Sequence, residues 1–257
     1  MDQKTLAYIN MHAVIGTLEN LCELDPETSA LVTNQKPVVI AWDVKDGPKA
    51  TMTFVNGRMR LDTGILPKHN LIMKCSSCEQ FNQLVGGANI TPTPVPKGGG
   101  IAALKFMLND FKVLTARLEK FLRATEEDLA DPVFSTLSTK LMLNVIGVAI
   151  SQIGDYDPVG KFSAKYITDG DVQISVKGDL GVTIRVKDNF LTTIKQRPET
   201  PSAIMEFESL ELARALFDGK VNAMSCIGQG QIIMGGKINM LDNVNRILDR
   251  VPLYLAS

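Results

Sequence analysis

Ile72-Met73-Lys74-Cys75-Ser76-Ser77-Cys78-Glu79-Gln80-Phe81-Asn82-Gln83-Leu84-Val85-Gly86-Gly87 is written twice in this chain. Moved on by 132 positions it falls on Ile204-Met205-Glu206-Phe207-Glu208-Ser209-Leu210-Glu211-Leu212-Ala213-Arg214-Ala215-Leu216-Phe217-Asp218-Gly219, with Ile-Met, Ser, Glu, Leu and Gly in the same places. Each stretch is an apolar run, an N-capping serine, a short helical pattern and a glycine stop, which predicts a strand followed by a short helix. The offset holds upstream. Val44-Lys45 falls on Val176-Lys177, Thr51 on Thr183, Phe54 on Val186 and Met59 on Leu191, with no gap between 44 and 87. One register through three strands and a helix means duplication, and a repeat of this kind decides how the rest is read. The chain is two diverged copies of one α+β domain, and 257 residues suffice for two.

Each copy is predicted to open with a helix. Thr5 to Leu24 carries Leu6, Ile9, Ala13, Leu18 and Leu21 at helical spacing. In the second copy Asp131 can cap a helix that begins at Pro132 and runs to about Ile153. Strands follow at Val38–Val44, Ala50–Val55, Arg58–Leu61 and Asn70–Cys75, with a hairpin signal at Asn56-Gly57. The second copy repeats them at Val172–Lys177, Val182–Lys187, Phe190–Ile194 and Ala203–Phe207, and an added strand is predicted at Lys161–Ile167. The copies then part. The second continues with Gly230-Gln231-Ile232-Ile233-Met234-Gly235-Gly236, a strand between glycines, and a helix from Ile238 to Arg250. The first has Pro92, Pro94 and Pro96, so its last strand is predicted to be missing or reduced to an irregular edge. A long amphipathic helix with Leu104, Met107, Leu108, Phe111, Leu114, Leu118, Phe121 and Leu122 follows, and the acidic Thr125–Asp128 segment links the halves. The domains are therefore 1–125 and 131–257.

Composition narrows the class. With 27 basic and 28 acidic residues, the overall charge gives no electrostatic footprint for nucleic acid or for an anionic membrane surface. The Met1-Asp2-Gln3-Lys4 start lacks the pattern of a signal peptide. The apolar run Leu141–Ile153 is shorter than the ~20 residues of a membrane span, which reads as a buried helix with no transmembrane segment. Four cysteines predict reduced thiols and a cytoplasmic location.

The order of elements resembles the sterol carrier protein 2 lipid-transfer domain family. The first copy supplies Ile40-Ala41-Trp42-Asp43-Val44-Lys45-Asp46-Gly47-Pro48 and Thr51-Met52-Thr53-Phe54-Val55-Asn56-Gly57; the second supplies Leu210–Asn222 and Gly230–Gly236. The resemblance covers most of both halves. It implies two tandem sterol-carrier-like units, each a mainly antiparallel sheet of about five strands with helices on one face and an apolar tunnel between them. It implies binding or transfer of a fatty acid, acyl-CoA, sterol-like molecule or phospholipid without catalysis. The same fold also serves some bacterial enzymes as an accessory module, which leaves a closed structural, dimerisation or interaction module acting with a partner enzyme as the alternative. The prolines of the first copy depart from the pattern and put its tunnel in doubt.

Catalytic signals are weak. His12 lies on the first helix and His69 beside Pro67, neither in a triad-like setting, so no enzyme activity is expected. Cys75 and Cys78 form a C-x-x-C pair, but they align with Phe207 and Leu210 and read as packing, not as a metal or redox site. Gly98-Gly99-Gly100 and Gly235-Gly236-Lys237 lack the spacing and the Ser/Thr of a phosphate loop. No cofactor and no metal are expected. The tunnel is placed mainly in the second copy, lined by Leu216, Phe217, Met224, Ile232, Met234, Met240, Leu241 and Leu248, with core filling the competing reading of each methionine. At about 0.8 kcal/mol per buried methylene, set against an association cost of about 4–15 kcal/mol, only long-chain or polycyclic ligands bind usefully.

Overall fold

The computed structural model describes residues 1–33 and 36–255, which fall into two compact units, Met1–Thr125 and Glu126–Ser257. The first unit opens with α1 (Gln3–Tyr8), which continues through a π-helical segment (Ile9–Val14) and a 3-10 turn (Ile15–Thr17) into α2 (Leu18–Leu24). Then come α3 (Pro26–Thr33), β1 (Val38–Val44), β2 (Lys49–Val55), β3 (Arg58–Thr63), β4 (Leu71–Cys75), α4 (Cys78–Val85), β5 (Thr93–Pro96), α5 (Gly100–Leu108) and α6 (Asp110–Leu122). The second unit comprises α7 (Glu126–Leu129), α8 (Pro132–Tyr156), α9 (Pro158–Ala164), β6 (Gly170–Val176), β7 (Gly181–Lys187), β8 (Phe190–Ile194), β9 (Ala203–Phe207), α10 (Leu210–Phe217), α11 (Ala223–Gly228), β10 (Ile232–Gly236), α12 (Ile238–Leu248) and α13 (Val251–Leu255).

The two sheets share one topology, β3-β2-β1-β4-β5 and β8-β7-β6-β9-β10. In each, the two central strands run parallel and every other pairing is antiparallel. Ile40 opposes Leu71 as Val172 opposes Ala203, so strand register also repeats at the 132 offset. The hairpin turns agree in conformation: Asn56 and Gly57 have φ of 51° and 76°, Asp188 and Asn189 of 52° and 65°, the paired positive values of a tight primed turn. Ser77 and Ser209 cap α4 and α10 by accepting from Gln80 N and Leu212 N. Thr51 and Thr183 repeat for a physical reason: each hydroxyl donates to the carbonyl 13 residues on, that of Gly64 or Gln196.

Two expectations are corrected and a third is decided between its alternatives. Lys161–Ile167 is not a strand. Asp157 accepts from Val159 N and Gly160 N with Pro158 at the first helical position, and this N-terminal signal overrides the two-residue alternation that follows it. The last strand of the first copy is not missing but reduced to a four-residue edge, with Ile72 opposite Val95 and Lys74 opposite Thr93. Lys97 N donates to Asn70 O, so by the strand period Pro94 and Pro96 turn their nitrogens away from β4, where a missing donor costs nothing. The long helix of the first unit is broken at Asn109 (φ −114°, ψ −80°) into α5 and α6. Met107, Phe111, Leu114, Leu118 and Phe121 are buried as the stripe predicts, whereas Leu108 is exposed. Helix α8, 25 residues long, has the length and hydropathy to cross a membrane, but 61% of its most apolar window is buried inside the protein.

Each unit holds an aspartate clasp. Asp25 caps α3 through Thr28 and receives Arg117 from α6. Asp157 caps α9 and receives Arg250 (Nη2 to Oδ2, 2.8 Å) and the Tyr254 hydroxyl (2.6 Å). The Asp-Pro pairs at 25–26 and 157–158 sit at the 132 offset, so the duplication reaches back beyond Val44. Burial alone would raise both carboxyls, but the hydrogen bonds and charge of the arginines hold them below the usual range.

A second carboxylate in each unit covers an outer strand: Glu19 Oε1 accepts from Leu61 N at 2.7 Å and Asp155 Oδ1 from Leu191 N at 2.9 Å. Burial pushes Asp155 up to about 6, and in the first unit it pushes His12, stacked on Tyr8, down to about 4. The signs oppose. Asp155 binds protons more tightly folded than unfolded, so its contribution is full below about 3.9 and lost as pH rises through about 6; that of His12 is full above about 6.5 and lost as pH falls through about 4. Asp155→Asn is expected to stabilise the second unit at pH 8 by about 1 kcal/mol, after discounting for its partial exposure, and to flatten its stability between pH 7 and 5. Chemical denaturation across that range tests this; an unchanged pH slope refutes it.

Candidate functional site

The helix-facing side of each sheet can be read row by row from the register. One row crosses four strands. In the first unit it holds Ala50, Trp42, Met73 and Pro94; in the second, Val182, Ile174, Met205 and Met234 occupy the matching places. Above Trp42 sits Phe81 of α4, its ring at 5.7 Å and edge-on, with both side chains buried. The counterpart of Phe81 in α10 is Ala213. Phe54, fully buried, packs at 4.8 Å from Phe106 and 6.1 Å from Phe111, where the second unit has Val186. At these positions the first unit is filled by aromatic rings and the second by branched, small and flexible aliphatic groups, whereas the aromatic pair of the second unit, Phe207 and Phe217, stands where the first has Cys75 and Val85. The plug carries a cost, since the Trp42 indole N–H is buried without an acceptor.

A Cβ added to Gly147 of α8 would lie 2.8 Å from Val182, and one added to Gly154 2.7 Å from Leu191. Helix α8 therefore presses directly on β7 and β8. What it leaves is the region over β6, β9 and β10, covered by α10 and α12, which both pack against β9. Helix α10 is fastened by Arg214, which donates to Ser138 Oγ at 2.7 Å and to Asp218 at 3.0 Å. A cleft of about 280 Å³ opens where α8 and α10 begin, between Pro132, Ser135, Thr136, Leu210 and Glu211.

The residues expected to line the tunnel distribute as follows. Ile232, Met240 and Leu241 are buried; Leu216, Phe217, Met234 and Leu248 are half-buried; Met224 is 75% exposed on α11. Ile232 and Met234 share the helix-facing side with their partners Phe207 and Met205, and Ile233 on the other side is 52% exposed. Phe217 packs edge-on to Phe207 at 6.0 Å. Met224 stands apart because the second copy is longer here. Met73 opposes Pro94 and Met205 opposes Met234, an offset of 234 − 94 = 140, which is eight more than 132, and α11 lies in the added length.

Sequence reasoning missed Ile174, Met205 and Ala213, although the ungapped repeat already set Ile174 against Trp42 and Ala213 against Phe81. The methionine signal does not single out the second copy, because the first buries Met11, Met52, Met59, Met73 and Met107. Cys75 is buried and Cys78 half-buried, both as free thiols, and burial pushes both pKa values up, Cys75 to about 11. His69 Nδ1 lies 2.6 Å from Leu66 O. Among the described residues no group of three His, Cys, Asp or Glu side chains is placed to hold a metal ion.

No protein-family model matches the chain, and no curated protein matches it. Among solved structures it is similar to a UbiJ-SCP2 ubiquinone synthesis protein, with 14% identity over 46% of this chain and 93% of that one, at a TM-score of 0.34. It is similar to Sterol Carrier Protein 2 Like 2 from Aedes aegypti, with 15% identity over 42% of this chain and 93% of that one, at 0.33. It is also similar to sterol carrier protein domain 2 of Helicoverpa armigera, with 16% identity over 49% of this chain and 91% of that one, at 0.33.

Proposed function

We propose that the second unit binds one long-chain hydrophobic ligand, a fatty acid or acyl derivative, between its sheet and helices α10 and α12, and that the protein acts by carrying it rather than by catalysis. The observation that supports this is the row Ile174, Met205 and Met234, with Ala213 at the repeat position of Phe81, set beside its aromatic counterpart in the first unit. The ligand lies along Ile174, Met205 and Met234, clear of Val182 under α8, with Leu216, Phe217 and Leu248 half-buried at its margin. Methionines and aliphatic groups reshape around an acyl chain at small cost, whereas packed rings do not. The chain displaces α10 and α12 outward, since α8 has no slack over β7 and β8.

A specific observation favours the closed-module reading as well. The 280 Å³ cleft falls below the about 300–1,000 Å³ typical of ligand pockets, and it lies between α8 and α10, not on the aliphatic row. Titration of the full chain with a fluorescent long-chain fatty acid separates the two. One equivalent bound per chain is expected. No binding selects the closed module, and two equivalents refute the plugged first unit.

A further inference from the structure

We propose that the exposed face of α9 docks the protein on the surface of an anionic phospholipid bilayer. Val159, Phe162 and Tyr166 recur at helical spacing from α9 into the turn that follows it, and they are 51%, 57% and 58% exposed. The Phe162 and Tyr166 rings meet edge-on at 5.2 Å, so two aromatic groups stand together in water instead of in the core. Lys161 and Lys165, both exposed, flank them. Aromatic groups with one apolar and one wet end settle at the level of lipid head groups, and lysines beside them add attraction to anionic lipid.

The acidic groups nearest to α9 in the sequence are engaged elsewhere, and on α12, which packs against it, Asp242 is paired with Arg246 while Asp249 ends the helix. Asp157 is buried under Arg250 and Tyr254, Asp155 accepts from Leu191 N, and Asp169 accepts from Asp188 N. Asp155 lies near enough to lower the field of Lys161 somewhat, which leaves Lys165 the stronger contributor.

The duplication supplies an internal control. At the 132 offset, Glu27 and Ala30 of α3 match Val159 and Phe162, Ser29 and Thr33 match the lysines, and the sequence counterpart of Tyr166 is Asn34, which lies outside the described residues. Glu27 is paired with Arg117. The fold therefore does not require an aromatic, basic surface at this place; of the two units the second carries one. Helix α9 also packs against α12, which covers the aliphatic row. A bilayer held against α9 brings a source of acyl chains beside the helix that must move to admit one.

The test is co-sedimentation of the full chain with phosphatidylcholine vesicles, with and without phosphatidylserine. Binding is expected only with phosphatidylserine, to weaken about tenfold in Phe162→Ser, and to lose its lipid-charge dependence in the Lys161→Glu/Lys165→Glu double variant. Val113→Ser, a change at an exposed apolar site of the first unit, leaves binding unchanged. Equal binding by all variants, or binding indifferent to phosphatidylserine, overturns the proposal. So does a Phe162→Ser variant that turns a dimer into a monomer, because the face would then belong to a second copy. Vesicle binding without uptake of monomeric fatty acid sinks the ligand reading and leaves this one standing; the reverse outcome does the opposite.

Discussion

Ala213→Phe is expected to weaken long-chain fatty-acid binding about 100-fold while leaving the protein folded. The substitution copies into α10 the ring that Phe81 contributes to α4, at the same place in the repeat. Ala213 is fully buried beside the aliphatic row, so an added ring must occupy volume that the ligand would use. Excluding about four methylenes forfeits about 3 kcal/mol, which is about two decades in Kd. Overpacking itself costs about 1–3 kcal/mol of stability, and circular dichroism with a melting curve shows whether the fold survives. Ile174→Trp supplies the other half of the first unit's plug and serves as an independent arm. If both variants fold and bind as the parent does, the ligand is not between the sheet and α10. As a control, Ala30→Phe on the exposed surface of α3 leaves binding untouched.

Asp157→Ala is expected to destabilise the second unit by about 3–5 kcal/mol, because it strands a partly buried guanidinium and also removes a helix cap. Arg250, Tyr254 and the first turn of α9 all converge on this carboxylate, whose residue is 1% exposed. For a unit of this size the loss lowers its melting temperature by roughly 10 °C or more. Since each unit has its own clasp, the melt should divide, with the second unit going first. Asp25→Ala should move the first unit's transition instead. A single undivided shift in both variants would show that the clasps are not independent. Acid acts in the same direction: the contribution of Asp157 is present above about 3.9 and lost as pH falls through its lowered pKa.

The sheet was legible because it is written twice. A residue class repeated at 132 filters chance patterns, and the strands the repeat covers begin and end at equivalent residues in both units, β8 stopping one residue short. Lys161–Ile167 was misread because alternation in seven residues is a weak signal, while Asp157-Pro158 before it is a strong one that already had a twin in Asp25-Pro26. Helix α11 was invisible because it lies in the inserted length, where no second copy checks it. The site was only half legible. Apolar character marks Ile232, Met240 and Leu241 as inside, but a core and a cavity use the same residues. What separates the units is the size of the groups at Trp42 and Phe81 against Ile174 and Ala213, a difference that gains meaning only once the strand register sets them over one another. Met224 shows the converse: an apolar side chain near the right strand, left in solvent by the insertion.

The clasps bear also on how the polypeptide reaches its fold. Asp25 and Arg117 are 92 residues apart, and Asp157 and Arg250 are 93 apart, so each half is fastened between its own beginning and its own end. Among the described residues, the partners of each latch come from its own half. When the ribosome has released Arg117, every partner of the first latch exists, and that half can close while the second is still being made. Sister copies with near-identical strand registers are at risk of exchanging strands during synthesis. Early closure removes the first copy's strands from that exchange before the competing ones appear.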